Sequence, residues 1–297
     1  MPDVVVVGSA NVDLVVPVPL RPAAGQTVLG GGLGIHPGGK GANQAVAAAR
    51  LGARVAFIGR VGDDTYGRLV RESLAAAGVD HAHLRVAAAP TGVALILLTP
   101  DGENSIVVSP GANALVGTED VDAASDALSR AAVVLLQREI DPSVSAHAAR
   151  RAARAGARVL VSLAPAGKVP DDLLRLADPL VVNEHEAADL LAAPGDPEDH
   201  ARALLRLGAR SAVITLGPRG AAVADANRVA SVPAPPVRPV DTTGAGDAFT
   251  GALAWRLSAG DDLVTAAAVA ARAAALSVTR PGAQPSFPTA AELDAAG

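Results

Sequence analysis

The sequence predicts an α/β domain in which helices cover both faces of a mainly parallel central sheet. Short β-rich runs alternate along the chain with longer alanine-rich runs, an order typical of parallel sheets. The β-rich runs are continuously apolar, as expected for strands covered on both faces. Half of the 297 residues are hydrophobic, which is enough for a large core. We therefore expect one domain of three layers over residues 1–297.

The alternation assigns each element in turn. Buried strands are predicted at 4–8, 55–58, 133–136, 158–163, 180–183 and 212–216. Helices are predicted between them at 41–51, 66–77, 143–155, 184–191 and 197–207.

Two segments interrupt the alternation. Residues 13–35 are rich in Pro, Gly and Val and show little helical pattern. Residues 92–108 contain two β-rich runs, VALILLT and ENSIVVS, separated by a turn at Pro100, Asp101 and Gly102. We expect the segments at about 14–35 and 92–108 to form a small β-sheet that stands off the main domain.

Composition excludes several classes of partner and location. The net charge is −5, no basic run occurs and 2% of residues are aromatic, so a nucleic acid is not expected. Disulfides and thiolate metal sites are excluded because cysteine is absent. The N-terminal apolar run is only four valines, and no segment approaches the roughly 20 apolar residues of a membrane span. We expect a soluble cytoplasmic protein with no membrane partner.

The stretch DTTGAGDAF at 241–249 predicts an anion-binding helix terminus. Apolar residues at helical spacing follow it, namely Ala248, Phe249, Ala252, Leu253, Trp255 and Leu257. Residues 244–247 should therefore lie where free N–H groups and the helix dipole favour an anion. Asp247 is either a catalytic group beside this anion or an ordinary helix cap, since Asp is a favoured cap residue.

Two other glycine motifs fail on context. GIHPGGK at 34–40 satisfies the P-loop pattern, but Gly41 stands where the hydroxyl ligand of Mg²⁺ is required, and no clear buried strand precedes the motif. The GAG of residues 244–246 lacks the third glycine of a dinucleotide fingerprint, because Phe249 occupies that place. Neither a P-loop enzyme nor an NAD enzyme is expected.

Motifs along nearly the whole chain resemble the PfkB (ribokinase-like) family of carbohydrate kinases. The two family signatures resemble HPGGKGANQAVAAARLGA at 36–53 and DTTGAGDAF at 241–249. Shorter matches are GSANVD at 8–13, VGDD at 61–64, TGVALI at 91–96, GEN at 102–104, GAN at 111–113, NEHE at 183–186, TLGPRG at 215–220 and RPGAQPS at 280–286. The resemblance implies the ribokinase-like three-layer fold with a small β-sheet lid.

The resemblance implies a role for the residues at the helix terminus. Asp247 would take the proton from a primary hydroxyl of the sugar, while backbone N–H groups of Gly244, Ala245 and Gly246 would hold the transferring γ-phosphoryl group. A carboxylate suits this step, since positioning and charge stabilisation supply most of phosphoryl-transfer catalysis.

The N-terminal motifs resemble the sugar pocket of the family. Asn11 and Asp13 follow a predicted strand, where ligands of open α/β sheets bind, and a carboxylate can accept hydrogen bonds from neighbouring hydroxyls. In isolation these residues would read as an ordinary polar strand end. The resemblance extends the pocket to Gly38, Gly39, Lys40, Asn43 and Glu139.

The resemblance also assigns residues to ATP and to two metal ions. Positions that match the ATP site are Asn183, Thr215, Leu216, Gly217, Arg219, Gly220 and Gly246. Glu186 matches the acidic residue that organises Mg²⁺ through waters, and one carboxylate suffices because Mg²⁺ keeps much of its hydration. Ala271 departs from the Asn or His that relatives often place near the adenine. Matches to the site of an activating K⁺ are Asp241, Thr243, Ser277, Arg280, Gly282 and Ser286.

The resemblance implies ATP-dependent phosphorylation of D-ribose at its primary hydroxyl, giving ribose 5-phosphate and ADP. It also implies a homodimer that pairs through the β lid. TGVALI, GEN and GAN are closest to the ribose kinases of the family. A difference of one methyl in a pocket discriminates by only about 1–3 kcal/mol, so deoxyribose, another pentose, fructose or a nucleoside stay open. A non-catalytic sugar sensor and a ribose-binding protein without nucleotide are the alternatives from other classes.

Overall fold

The computed structural model describes residues 2–100, 104–168 and 170–296. The strands are β1 Val4–Val7, β2 Asn11–Pro17, β3 Gly34–Gly38, β4 Val55–Gly62, β5 Asp80–Ala87, β6 Gly92–Leu98, β7 Asn104–Ser109, β8 Val133–Leu136, β9 Arg158–Ser162, β10 Ala177–Asn183, β11 Ala212–Thr215, β12 Ala221–Ala224 and β13 Val229–Val232. The helices are α1 Lys40–Arg50, α2 Thr65–Ala76, α3 Thr118–Ala123, α4 Ser125–Leu128, α5 Pro142–Arg154, α6 Asp171–Leu176, α7 Glu184–Leu191, α8 Pro197–Arg206, α9 Ala245–Ser258, α10 Leu263–Ser277 and α11 Ala290–Ala295.

The main sheet has nine strands in the order β13-β12-β11-β10-β9-β8-β1-β4-β5. From β11 to β5 every neighbouring pair is parallel, and the β12 and β13 pairs at one edge are antiparallel. All six predicted strands lie in this sheet, and each of the five predicted helices is present to within one residue at either end. The predicted fold class is confirmed.

Successive side chains of the central strands enter two different cores. Val4 and Val6 of β1 pack into one apolar cluster, whereas Val5 and Val7 pack into the other. The first cluster includes side chains of α1, α2, α9, α10 and α11, and the second includes those of α3 to α8. This division produces the three layers, because side chains of a strand alternate between its two faces.

The second sheet has four strands in the order β3-β2-β6-β7. Its central pair, β2 with β6, is parallel, while the two outer pairs are antiparallel. The predicted small β-sheet is therefore present. The turn predicted at Asp101 and Gly102 and most of the GEN motif lie outside the described residues.

None of the helices in the described part of the chain combines the length and the hydropathy needed to span a bilayer.

Candidate active site

The chain enters α9 through Gly244, the first glycine of the GAG loop. Gly244 has a φ of +76°, a left-handed conformation that glycine adopts without strain. A Cβ at this position would lie 2.9 Å from Cβ of Ala283 and 3.0 Å from the ring of Phe287. The predicted helix start at residues 244–247 is confirmed, and it requires glycine at its first position.

Backbone amides at the start of α9 are available to an anion. The N–H of Ala245 donates to the carbonyl of Thr242 at 3.2 Å. Within the described ranges, no hydrogen bond uses the N–H groups of Gly244, Gly246 and Asp247. The first turn of a helix leaves such donors unsatisfied, and the helix dipole adds partial positive charge there. The available donors are thus the two glycine amides and the amide of Asp247 itself.

Asp247 lies in the first turn of α9 without capping it. Its buried carboxylate accepts hydrogen bonds from Nδ2 of Asn43 at Oδ2 and from Nε2 of Gln44 at Oδ1, both at 2.9 Å. Within the described residues, no side chain accepts a capping hydrogen bond from the backbone N–H groups at the N-terminus of α9. The interpretation of Asp247 as an ordinary helix cap is therefore wrong, because its carboxylate faces α1.

A glycine one turn further along α9 allows this contact between helices. A Cβ at Gly251 would lie 2.6 Å from Cβ of Ala47 and 2.7 Å from the carbonyl oxygen of Gln44. Any side chain at position 251 would separate α1 from α9. The close approach keeps Asn43 and Gln44 within hydrogen-bonding distance of Asp247.

The predicted sugar-side residues Asn11 and Asp13 lie within β2 of the small sheet. Their partners across the strand pair are Gly38 and His36 of β3. A Cβ at Gly38 would lie 2.3 Å from both carboxylate oxygens of Asp13, so glycine leaves the space that this carboxylate occupies. Gly39, at φ +87°, then turns the chain into α1.

Asn11 is held by Asn113, the last residue of the GAN motif, to which the family resemblance assigned no role. Oδ1 of Asn11 accepts a hydrogen bond from Nδ2 of Asn113 at 2.6 Å, and Oδ1 of Asn113 accepts one from the N–H of Ala10 at 2.9 Å. Among the described residues no acceptor is bound to Nδ2 of Asn11. The side chain is therefore oriented by the protein and keeps a donor for a ligand.

Glu139 joins the loop after β1 to the start of α1. Its Oε2 accepts hydrogen bonds from Oγ of Ser9 at 2.6 Å and from the N–H of Lys40 at 3.0 Å. The second contact places a carboxylate at the helix N-terminus, where the dipole stabilises negative charge. Glu139, predicted only from resemblance, is thereby fixed beside the sugar-side residues.

Electrostatic interactions link the sugar-side residues to Asp247. Burial, together with the nearby charges of Glu139 and Asp247, raises the pKa of Asp13 to about 7. Burial opposes the charge of Lys40, but attraction from Asp247, Glu139, Glu186 and Asp13 outweighs it and raises the pKa of Lys40. Lys40 in turn lowers the pKa of Asp13 and of Glu186, but burial outweighs this effect at both carboxyl groups.

Two adjoining cavities lie around the start of α9. A cavity of about 170 Å³ is lined by polar groups that include Lys40, Asn183, Glu186 and Asp247. A mainly apolar cavity of about 470 Å³ is lined by Thr215, Gly217, Pro218, Gly220, Ala234, Pro235, Pro236, Val237, Pro239, Thr242, Ala245, Gly246, Phe249, Ala271, Ala274, Ala275 and Val278. Four residues, Thr215, Thr242, Ala245 and Gly246, line both. The GAG loop is thus the boundary between a polar and an apolar compartment.

Some of the residues predicted to bind the nucleotide line these two cavities, and others do not. Asn183 and Glu186 form a capping box at the start of α7, and burial raises the pKa of Glu186. Arg219 forms an ion pair with Glu184, and the side chain of Leu216 is buried in the core. Neither Leu216 nor Arg219 lines either cavity, so their predicted contacts with ATP remain predictions.

The two loops predicted to hold K⁺ are in contact. The carboxylate of Asp241 accepts hydrogen bonds from the N–H groups of Thr243 at 2.9 Å and Gly282 at 2.7 Å. Ser277 and Ser286 donate to nearby carbonyls through their hydroxyls, and Arg280 pairs with Glu292. Across residues 2–100, 104–168 and 170–296, no group of three or more His, Cys, Asp or Glu side chains could hold a metal ion. A cation between these loops would therefore depend largely on backbone carbonyls.

Sequence reasoning missed the buried polar side chains that support Asp247. Gln137 donates to Gln44 at 2.8 Å, and Gln284 donates to Asn43 at 2.9 Å. The available signal was an Asn-Gln pair in a helix composed largely of alanine, together with two further glutamines at positions that are otherwise small or apolar. No local pattern indicates that these amides face one carboxylate.

Comparison with known proteins places this site in a family. The model of the pfkB family of carbohydrate kinases matches residues 1–290. The ribokinase of Bacillus subtilis (strain 168) is 39% identical over 295 residues, 99% of each chain, and the deoxyribokinase of Salmonella typhi is 36% identical over 293 residues, 97% of this chain and 96% of its own. The structure of Arabidopsis thaliana ribokinase complexed with ribose and ATP has a TM-score of 0.90 at 34% identity, covering 99% of this chain and 98% of that one. This chain belongs to the pfkB family of carbohydrate kinases.

Proposed function

We propose that this chain transfers the γ-phosphoryl group of ATP to the primary hydroxyl of D-ribose, giving ribose 5-phosphate and ADP. The observation that carries the proposal is the buried carboxylate of Asp247 beside free backbone amides, at the boundary of two cavities. The similarity to ribokinases supports ribose as the sugar.

In the proposed reaction Asp247 accepts the proton of the sugar hydroxyl as its oxygen bonds to the γ-phosphorus. The bond from that phosphorus to the β–γ bridging oxygen breaks, and ADP leaves. The N–H groups of Gly244, Gly246 and Asp247 would stabilise charge on the phosphoryl oxygens. Lys40, which lines the smaller cavity with Asp247, adds a positive charge on the sugar side.

The sugar would be held by oriented polar groups around this carboxylate. Asp13, Glu139 and Asn11 offer acceptors and a donor to its secondary hydroxyls. Nδ2 of Asn43 carries two hydrogens, so it can donate to Asp247 and to a sugar oxygen together. An ionised Asp13 is the stronger acceptor, so sugar affinity should depend on its protonation.

The nucleotide would place its base in the apolar cavity and its phosphates near the GAG loop. That cavity contains Ala271 and is lined mainly by alanine, proline and valine, so it would hold the base by shape and apolar contact. The donor set fits Mg²⁺ bound through water, because Glu186 lines the polar cavity and its Oε2 is oriented by the N–H of Asn183 at 2.8 Å. Mg²⁺ would neutralise charge on the phosphates.

Three further features belong to the proposal. A K⁺ ion between the loops around Asp241 and Gly282 would order the chain that leads into the GAG loop. The small sheet would close over the sugar as a lid and pair with the lid of a second copy, excluding water from the reaction. A cytoplasmic location is proposed because ATP is a substrate.

A sugar panel tests the proposal. The protein is incubated with ATP, Mg²⁺ and D-ribose, 2-deoxy-D-ribose, D-fructose or adenosine, and ADP release is followed. We expect the highest kcat/KM with D-ribose and a product phosphorylated at its primary hydroxyl. ADP release that no member of the panel stimulates would contradict the proposed function and favour a sugar sensor.

Deoxyribose is the second candidate substrate, because a deoxyribokinase is 36% identical over nearly the whole chain. The two sugars differ only at the 2-hydroxyl. A site with polar groups directed at that hydroxyl rejects the sugar lacking it far more strongly than an apolar pocket does. A kcat/KM for 2-deoxy-D-ribose equal to or above that for D-ribose would show that the chain acts as a deoxyribokinase.

A further inference from the structure

Asp247 lies at the centre of a series of side-chain amides, here called the amide relay, formed by Gln137, Gln44, Asn43 and Gln284. On one side, Gln137 donates to Oε1 of Gln44 at 2.8 Å, and Gln44 donates to Asp247 at 2.9 Å. On the other side, Gln284 donates to Oδ1 of Asn43 at 2.9 Å, and Asn43 donates to Asp247 at 2.9 Å. All four amides are buried.

The charge of Asp247 determines the direction of every hydrogen bond in the relay. An ionised carboxylate only accepts, so both adjacent amides must present nitrogen to it. Each of these amides then presents its oxygen to the next residue, which must also donate. Ser73 completes one side as a hydroxyl donor to Oε1 of Gln284. Reversal of any amide would bring two acceptors or two donors together.

The presence of an amide side chain at position 137 is not explained by a contribution to the stability of the fold. Its Oε1 is buried without a hydrogen-bond partner among the described residues, and an unpaired buried acceptor is destabilising. An apolar side chain of similar size would avoid this cost. The amide at position 137 is explained by its donation to Gln44, which keeps the nitrogen of Gln44 directed at Asp247.

The two sides of the relay differ in their access to substrate. Asn43 belongs to the predicted sugar site and can exchange contacts when a sugar binds. Gln44 is 1% exposed and Gln137 is 2% exposed, so both keep their contacts with the protein. Their side of the relay can therefore hold the carboxylate throughout the reaction.

We propose that Gln44, held by Gln137, is a positioning residue that fixes the orientation of the Asp247 carboxylate for proton transfer. The proposal rests on the proposed function in one respect, the role of Asp247 as proton acceptor. The proposal gives different roles to the two neighbouring amides that contact the carboxylate of Asp247. Asn43 also binds the sugar, whereas Gln44 only orients the carboxylate.

The first experiment compares Gln44→Met, Gln137→Met and the double variant with the wild type. Methionine keeps the length of the side chain and removes the donor. We expect Gln44→Met to lower kcat by about 100-fold, the order of loss that a misplaced reacting group causes, with KM for sugar and ATP changed by less than about 3-fold. Gln137→Met should lower kcat less, and should add nothing in the Gln44→Met background, because both act through one contact.

The second experiment uses Gln44→Glu, which keeps the shape and adds a carboxylate next to Asp247. Like charges raise each other's pKa, so the acidic limb of the kcat profile should move to higher pH by about 1 unit or more. The other charged groups that act on the site, namely Lys40, Asp13, Glu139 and Glu186, are unchanged in this variant. Asn227→Asp, on the exposed turn between β12 and β13, makes the same chemical change as a control and should leave the profile unaltered.

A readout without turnover separates this inference from the proposed function. In protein labelled with ¹³C at the aspartate carboxyls, the Asp247 signal is assigned by its loss in Asp247→Asn and followed against pH. Its titration should move upward in Gln44→Glu whether or not ribose is the substrate. A folded Gln44→Met protein with kcat within about 3-fold of wild type, or an Asp247 titration unchanged in Gln44→Glu, would overturn the proposal.

Discussion

Nδ2 of Asn43 lies 2.9 Å from Oδ2 of Asp247, although 204 positions separate the two residues in the chain. Asn43 lies in the first turn of α1, within the motif at 36–53 that is predicted to bind the sugar. Asp247 lies in the first turn of α9, directly after the GAG loop that is predicted to bind the phosphate. The bond couples the two halves of the site directly. A change at either residue should therefore affect both sugar contacts and proton transfer.

Replacement of Asp247 by Asn should remove the proton acceptor and preserve the shape of the side chain. We expect kcat to fall by about 10²–10⁴-fold, the range typical of a lost general base. Binding of ATP should change by only a few-fold, because the backbone amides and the apolar cavity remain. ADP release measures the first effect and calorimetric titration the second. Normal turnover by a correctly folded variant would refute the assigned role.

The two glycines of the GAG loop should respond differently to alanine. Gly244→Ala forces a side chain into a left-handed conformation against Ala283 and Phe287, and should lower the free energy of unfolding by about 1–3 kcal/mol. At Gly246 a Cβ would meet no atom within 4 Å, so stability should be unchanged. Gly246 lines both cavities, and its new methyl group should lower kcat/KM for ATP by about 10-fold or more.

Urea unfolding and ADP release on the same two variants check this contrast. Loss of stability in Gly246→Ala, or retained stability in Gly244→Ala, would contradict the conformations described.

Asp13 should make the protein less stable as pH rises. Burial raises its pKa to about 7 in the folded chain, whereas an exposed Asp titrates near 3.9. The folded state therefore holds the proton more tightly, and this stabilising contribution is complete below about pH 4 and is lost between about pH 4 and 7. Asp13→Asn should be more stable than wild type at pH 8, with a difference that vanishes near pH 4. Urea unfolding across this range measures it, and a constant difference would contradict the shifted pKa.

The same titration should appear in sugar binding. Protonation of Asp13 removes an acceptor for the sugar hydroxyls, so KM for ribose should rise as pH falls below about 7, while KM for ATP changes less. Asp13→Asn should raise KM for ribose and abolish this part of its pH dependence.

A monovalent cation should activate the enzyme. Burial raises the pKa of Asp241, but hydrogen bonds from Thr243 and Gly282 outweigh this and lower it, so the carboxylate is charged at neutral pH. Weakly hydrated K⁺ suits a site of one carboxylate and several carbonyls. Initial rates at fixed ribose, ATP and Mg²⁺ should be higher in potassium chloride than in tetramethylammonium chloride of equal ionic strength. Equal rates, with contaminating K⁺ and ammonium removed, would rule out the site.

The exposed face of the small sheet should pair with a second copy of the chain. Leu95 of β6 and Val107 of β7 are paired on this face and are 49% and 66% exposed, and an exposed edge strand with apolar side chains is usually covered. We expect a homodimer by light scattering at micromolar concentration. Val107→Lys should give monomers, whereas Val86→Lys on β5 of the main sheet, also exposed, should not. A monomeric wild type would contradict the proposed pairing.

Local sequence patterns determined most of the fold. Continuous apolar runs located the six buried strands because strands covered on both faces need apolar side chains at every position. The two edge strands β5 and β13, and β12 beside β13, were missed, since β5 has charged residues along it and β12 consists largely of alanine. Such strands are formed by pairing with a neighbour, which depends on context more than on the strand's own residues.

For the candidate site, the sequence alone determined the helix start at Gly244 and the presence of a carboxylate in its first turn. Both features depend only on residues close together in the chain, because glycine allows the turn into the helix and the spacing of apolar residues indicates where the helix begins. Tertiary structure decided that Asp247 faces Asn43 and Gln44, and that Gln137 and Gln284 support them. It also decided that burial raises the pKa of Asp13 to about 7. Hydrogen-bond direction and desolvation depend on which groups meet across α1, α9 and β2. Residues far apart in the chain meet only when the helices pack, so no local pattern contains that information.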